Sequence, residues 1–288
     1  MTRHIATHSL EQALEELERG AKVIAGGTDL MIHVRLAKLH GANPPDVLLD
    51  VTGIPELHRI DMQQDKPFVG ATVTFHQLET DETVKQVFPL LTQAAESVGS
   101  VQIRTLATIG GNVANASPGA DGITALTALG AKAEIASLNG LRHAPLEELI
   151  LGPNRTTLAP GELLVGFELN RMAEGSAQRF SKIGRRRAVV IARMNLALCL
   201  DRDLNDPRIV LGACFPTPRR LAEVENLLKS GDPGAELWEN AGKMSAEQFS
   251  SACGWRESAI YKIPAMTKLV AGTLESVWSE LGGPSVRR

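Results

Sequence analysis

Apolar residues at Leu10, Ala13, Leu14 and Leu17 recur at i, i+3, i+4 and i+7, which predicts a helix with one buried face. Ser9 stands three residues before Gln12, the spacing of a capping box, and Gly20 supplies a stop. The short apolar run 21–25 predicts a buried strand. Gly26, Gly27, Thr28 and Asp29 follow, residues 30–39 can wind as a helix, and 46–51 predict another strand. Helix, strand, glycine turn, helix, strand is a small α/β unit with a parallel strand pair.

Residues 68–72 open a second unit as a strand, with helical stretches starting at Thr74 and at Leu90. The stretch 122–130 predicts a helix, and 131–138 alternates as a strand up to Asn139-Gly140, which reads as a type I′ hairpin turn. Residues 162–169 predict a further strand. The polar, glycine-containing stretch 171–178 marks a domain boundary. Beyond it, 179–184, 188–200 and 208–215 read as strands, the middle one with a partly helical pattern. Thr217-Pro218 reads as a helix start with Leu221, Val224, Leu227 and Leu228 facing inward, and 256–281 as a closing helix. The expected class is α+β, with residues 1–172 as one domain (subdomains about 1–55 and 56–172) and 176–288 as a second, built on a small antiparallel sheet with helices.

Composition narrows the function classes. The chain has 288 residues, enough for two or three domains. A formal charge of −3 gives no electrostatic footprint for nucleic acid. Cys199, Cys214 and Cys253 are widely spaced, which argues against a metal or iron–sulfur centre and against a disulfide framework. No stretch approaches the roughly 20 apolar residues of a spanning helix, and the N-terminal twenty residues lack the apolar core of a signal peptide. The expected compartment is the cytoplasm.

The candidate chemistry lies in two glycine pairs. Val23-Ile24-Ala25-Gly26-Gly27-Thr28-Asp29-Leu30 follows a strand and precedes a helix, and Thr108-Ile109-Gly110-Gly111-Asn112 opens a segment, 108–121, with almost nothing to fill a core. Consecutive glycines let backbone N–H groups approach an anion, a helix N-terminus adds partial positive charge, and the threonine hydroxyls of Thr28 and Thr108 add donors. Either pair alone is equally the mark of a tight turn. Neither fits G-x-G-x-x-G or the P-loop, so the residues imply a phosphate-bearing ligand without naming it.

The pair of motifs VIAGGTDL and ATIGGNVANASPGAD resembles the FAD-binding medium subunit of the molybdenum hydroxylases, the family of xanthine dehydrogenase and aerobic carbon monoxide dehydrogenase. The resemblance runs over nearly the whole chain, more loosely in the C-terminal stretch SKIGRRRAVVIARMN. It implies a PCMH-type FAD-binding domain of two α/β subdomains, with a C-terminal domain covering the flavin. It further implies that the two segments clasp the FAD diphosphate, that Asn115 and Asp121 occupy positions contacting the flavin or ribose, and that Leu164 and Lys182 occupy later contact positions. A small iron–sulfur subunit and a large molybdopterin subunit would be the partners, in a dimer of heterotrimers. Electrons would pass from the clusters to the flavin and on to NAD or another acceptor. No acid–base dyad is expected in this chain. Alternatives are a stand-alone FAD oxidoreductase and a non-catalytic scaffold of the same fold.

The chain departs from the family at Arg185, Arg186 and Arg187, where acidic or aromatic residues are common. That run reads either as a solvated basic turn or as a site for a partner or for nicotinamide-cofactor phosphates. His33, His76 and His143 have no carboxylate or nucleophile paired with them in the sequence and read as surface histidines. The cysteines read as small core residues.

Overall fold

A computed structural model of the chain describes residues 2–186 and 189–283. Arg187, the last of the basic run, lies outside the described residues. The first layer is a three-stranded parallel sheet in the order β1 (Arg3–Ala6), β3 (Val47–Asp50), β2 (Lys22–Ile24), with α1 (Leu10–Glu18) and α2 (Leu30–Leu39) as its crossovers. Ala13, Leu14 and Leu17 of α1 are buried, as the spacing predicts. The cap of α1 is a relay: Ser9 Oγ accepts from Gln12 N, while Thr7 Oγ1 takes the Ser9 amide and bonds Gln12 Oε1.

The second sheet is antiparallel, in the order β4 (Ile60–Asp61), β5 (Phe68–Gly70), β10 (Leu163–Glu168), β6 (Lys132–Ser137), β7 (Gly140–Pro145). Helices packed on it are α3 (Phe75–Thr80), α4 (Glu82–Val87), α5 (Pro89–Glu96), α6 (Val101–Arg104), α7 (Ile109–Asn115) and α8 (Asp121–Ala128), followed by the short α9 (Leu146–Leu149) and the hairpin β8 (Ile150–Gly152)–β9 (Arg155–Thr156). The β6–β7 hairpin forms, with a loop that differs from the expected one. Its two loop residues are Leu138 and Asn139, neither at positive φ, and Gly140 takes φ 118° as the first residue of β7. A type I′ turn needs both central residues at positive φ, so the turn is of another type.

The third sheet is antiparallel, in the order β11 (Ala177–Ile183), β12 (Met194–Leu200), β13 (Arg208–Gly212), β14 (Arg219–Arg220). Its two faces serve two cores. Phe180, Ala197, Cys199 and Val210 join the core of the N-terminal half. Met194, Leu196, Leu198, Ile209 and Leu211 face α10 (Ala222–Ser230), α11 (Ala235–Cys253) and α12 (Ala259–Glu280). Every residue of β12 is therefore buried, which explains a sequence pattern that hovers between strand and helix. The helix expected at Thr217-Pro218 starts later, at Ala222, because Arg219 and Arg220 add β14 to the sheet edge. No helix among the described residues is long and apolar enough to cross a membrane.

Candidate functional site

Strand β2 ends at Ile24 and α2 begins at Leu30, and the loop between them carries the first glycine pair. Among the described residues, the amide groups of Gly26, Gly27, Thr28, Asp29 and Leu30 have no acceptor in the protein. Gly27 sits at φ 68°, a conformation that favours glycine, and Asp29 lies in the right-handed helical region. The N-terminus of the ten-residue α2 adds its partial positive charge there. Gly26 has a different task. A Cβ on it would lie 1.9 Å from the carbonyl oxygen of Leu106, so only glycine lets this loop rest on the turn leading into the second segment.

The second segment departs from the expected arrangement of bared amides. Ile109 N donates to Val73 O, Gly110 N to Ala71 O, Gly111 N to Thr108 Oγ1 and Asn112 N to Thr108 O. The Thr108 hydroxyl is the N-cap of α7. Gly110 is buried, and a Cβ on it would meet Ala71 Cβ at 2.5 Å and Ala71 O at 2.6 Å. The segment therefore offers a surface: the exposed Cα face of Gly111 and the side chains of Asn112 and Asn115. Asn115 Nδ2 donates to Asp29 Oδ2 at 3.1 Å and so ties the two segments together. Asn112 Oδ1 is buried against Gly122 and without a hydrogen-bond partner in the protein.

The remaining sequence-predicted residues divide into supports and a polar joint. Val23 and Ile24 are half-buried in β2, and Ile109 and Leu164 are packed in the core. Asp121 and Lys182 bind each other: Lys182 Nζ lies 2.5 Å from Asp121 Oδ2 and also donates to Ser97 O at 2.9 Å. Asn195 Nδ2 donates to Asp121 Oδ1 at 2.7 Å, and Thr124 Oγ1 to Asn195 Oδ1 at 3.0 Å. Burial pushes the Asp121 carboxyl up from its ordinary value, and the Lys182 ammonium partly offsets this. The joint fastens β11 and β12 to the start of α8, directly after the second segment. Beside it lies a cavity of about 640 Å³ lined by Lys182, Arg104, Arg185, Arg186 and Ser97. Arg186 is exposed, and its guanidinium donates to Val189 O.

The histidines differ from expectation in their company. His33 is exposed on α2, but His76 Nδ1 lies 3.6 Å from Glu79, and His143 stands against Glu134 and Glu168. These carboxylates arrive through helix turns and strand register. Glu79 pairs with Arg104, which holds its carboxyl below the usual range. Cys199 and Cys214 are buried and their thiols are pushed up to about 12 by desolvation, so neither offers a thiolate at neutral pH.

The residues fit a dinucleotide such as FAD on three observations. Five consecutive amides lack acceptors, the exposed face of Gly111 has no side chain, and Asn112 Oδ1 is an unpaired buried acceptor. Comparison with known proteins agrees. Residues 1–170 match the family model described as the FAD binding domain in molybdopterin dehydrogenase, and residues 179–277 match the CO dehydrogenase flavoprotein C-terminal domain. The xanthine dehydrogenase FAD-binding subunit of Escherichia coli O157:H7 is 27% identical over 91% of this chain and 90% of its own length. The 6-hydroxypseudooxynicotine dehydrogenase complex subunit alpha of Paenarthrobacter nicotinovorans is 31% identical over 78% of this chain and 77% of its own. Among solved structures, a chain of the carbon monoxide dehydrogenase of Hydrogenophaga pseudoflava superposes with a TM-score of 0.88 at 26% identity, covering 97% of this chain and 98% of that one. The order of elements, the paired glycine segments and these matches have one reading: the chain belongs to the family of FAD-binding medium subunits of the molybdenum hydroxylases.

Proposed function

We propose that this chain is the electron-transferring flavoprotein subunit of a multi-subunit molybdenum hydroxylase. The observation that carries the proposal is the run of open amides from Gly26 to Leu30 at the start of α2. In this reading Gly26, Gly27, Thr28, Asp29 and Leu30, with Ala25 behind them, hold the diphosphate. Gly111 and Asn112 form the opposite wall with Thr108, Ile109 and Gly110 as its frame, and Asn115 fixes the separation of the walls through Asp29. Asp121, Lys182 and Leu164 set the boundary of the site toward the C-terminal sheet. Held by these residues, FAD would supply redox chemistry that can couple one-electron to two-electron transfer. The chain's own part is to bind, orient and shield that group, so it needs no acid–base dyad.

Around this chain we place a small iron–sulfur subunit as the electron source and a large molybdopterin subunit as the site of hydroxylation, the trimers pairing as dimers. NAD or another acceptor takes the electrons. Residues 1–172 and 176–288 are the two proposed domains, the first divided near residue 55. The isolated chain should hydroxylate nothing.

The test is the absorbance spectrum of the purified chain, with mass identification of whatever is released on denaturation. Flavin bands with FAD released are expected, and a Gly27→Val, Gly111→Val double variant should be colourless. A chain that stays colourless with added FAD, both alone and in its assembled complex, would remove the reading.

A further inference from the structure

Away from the glycine-lined site, three potential metal ligands meet on the outer face of the antiparallel sheet. Strand register brings them there. His143 of β7 lies directly opposite Glu134 of β6, and Glu134 lies opposite Gly166 of β10, two residues before Glu168. The inward neighbours Ala133, Ile135, Ala144 and Phe167 are buried, so alternation turns the three polar side chains outward. His143 Nε2 is 3.4 Å from Glu134 Oε2 and 3.8 Å from Glu168 Oε1. One ligand atom from each residue lies within 4.8 Å of the other two.

These spacings are too long for a charge-assisted hydrogen bond, which closes to about 2.7–2.9 Å. They are close to those of donors around an ion. Two ligand atoms each about 2.1 Å from a tetrahedral centre stand roughly 3.4 Å apart. The competing charges are Lys66 and Lys132. Lys66 Nζ lies 3.6 Å from Glu168 Oε2, the oxygen of that carboxylate other than the one facing His143. Its side chain is 65% exposed, so its attraction is screened. Lys132 is opposite Glu168 in register and makes no ion pair with it among the described residues. One imidazole with two carboxylates suits a borderline divalent transition metal better than calcium or magnesium, which favour all-oxygen sets.

We propose that His143, Glu134 and Glu168 form a binding site for one divalent transition-metal ion of the zinc class. The ion would bridge three strands and fasten the edge strand β7 to β10 across β6. Its remaining coordination positions would be filled by water.

The test is calorimetric titration of the full, chelator-stripped chain with ZnCl₂, alongside H143A and E134Q. All three residues sit on an outer sheet face, and the far-UV spectrum checks that each variant is folded; H143Q replaces H143A should the latter not fold. Wild-type protein should show one site absent from the His143 variant or weakened by more than about tenfold, the scale on which even supporting residues of metal sites act. Zinc should also raise the melting temperature of wild-type protein and not of H143A. Equal zinc binding by wild type and the His143 variant, or no binding by wild type, would overturn the site. So would a site that takes magnesium and survives loss of His143.

Discussion

Gly26-Gly27 and Gly110-Gly111 each sit just before or within the first turn of a helix, yet their amides end in opposite conditions. At the first pair, five consecutive N–H groups from Gly26 to Leu30 have no protein acceptor. At the second, the amides of Ile109, Gly110, Gly111 and Asn112 are consumed by Val73, Ala71 and Thr108. One segment is a set of donors. The other is a packed platform whose outer surface is bare. The difference shows that a glycine pair signals close approach, while the object approached can be a ligand or the protein itself. At Gly26 and Gly110 it is the backbone of Leu106 and Ala71.

The comparison breaks most severely where the platform is anchored. Asp121 and Lys182 have side chains only 5% and 10% exposed, and removing one partner of such a pair costs about 3–5 kcal/mol because the other is left charged and buried. Lys182→Met or Asp121→Ala should lower the unfolding free energy from chemical denaturation by that much. The Lys182→Met, Asp121→Leu double variant should recover part of it. A loss below about 1 kcal/mol in the single variants would show that the joint is not an ion pair in the folded chain.

Next come the two packed glycines. Gly26→Ala and Gly110→Ala each drive a methyl into backbone atoms that cannot swing away, at 1.9 Å and 2.6 Å. Overpacking of this kind costs about 1–3 kcal/mol, and thermal unfolding should show it for both. The outer glycines separate the two segments. Gly27→Ala puts a side chain at φ 68°, a cost of about 1–2 kcal/mol, while keeping the amide donor. Gly111→Ala meets only Thr108 Oγ1, at 2.9 Å, and gains helix propensity of up to about 1 kcal/mol, so stability should stay nearly level. Its methyl lands on the face proposed to carry the dinucleotide, so FAD affinity measured by flavin fluorescence should fall. Unchanged affinity in Gly111→Ala would reduce the second segment to a scaffold.

This contrast is also what the sequence could not supply. Both glycine pairs, α1, β2, α2 and the β6–β7 hairpin were legible because their signals are local: spacing, caps and turn residues. The fate of the second segment's amides was hidden because two of their acceptors, Ala71 and Val73, come from the distant start of the same unit. β12 was ambiguous because burial on both faces erases alternation. α11 was missed although Leu237, Trp238, Ala241 and Phe249 line its buried face, since Gly242 and a run of small and polar residues dilute the pattern. The company of His143 depends on three strands whose order, β10-β6-β7, is not the order of the chain.

The smallest effect concerns what steadies the approach to the second segment. Arg104, at the end of α6, makes two hydrogen bonds to Glu79 of α3 and a third to Val98 O, and so holds the turn that leads into Thr108. The hydrogen bond from Arg104 is the largest reason that the Glu79 carboxyl sits below its ordinary value of 4.5. Because the folded value is the lower one, the pair's stabilisation is whole above the unfolded value and is lost as pH falls through the folded value. Glu79 is 21% exposed, so the contribution is about 1 kcal/mol or less. Urea unfolding of wild type and Glu79→Gln should therefore differ most near neutral pH and converge in acid, as the pH falls through the lowered folded value of Glu79. Other acid-sensitive pairs, such as Arg142–Glu162, affect both proteins alike and cancel in the difference. A gap that stays constant as pH falls would assign Glu79 a packing role, and the second segment would then owe its position to the Asp121–Lys182 joint, to the carbonyls of Ala71 and Val73 and to the Asn115–Asp29 bond.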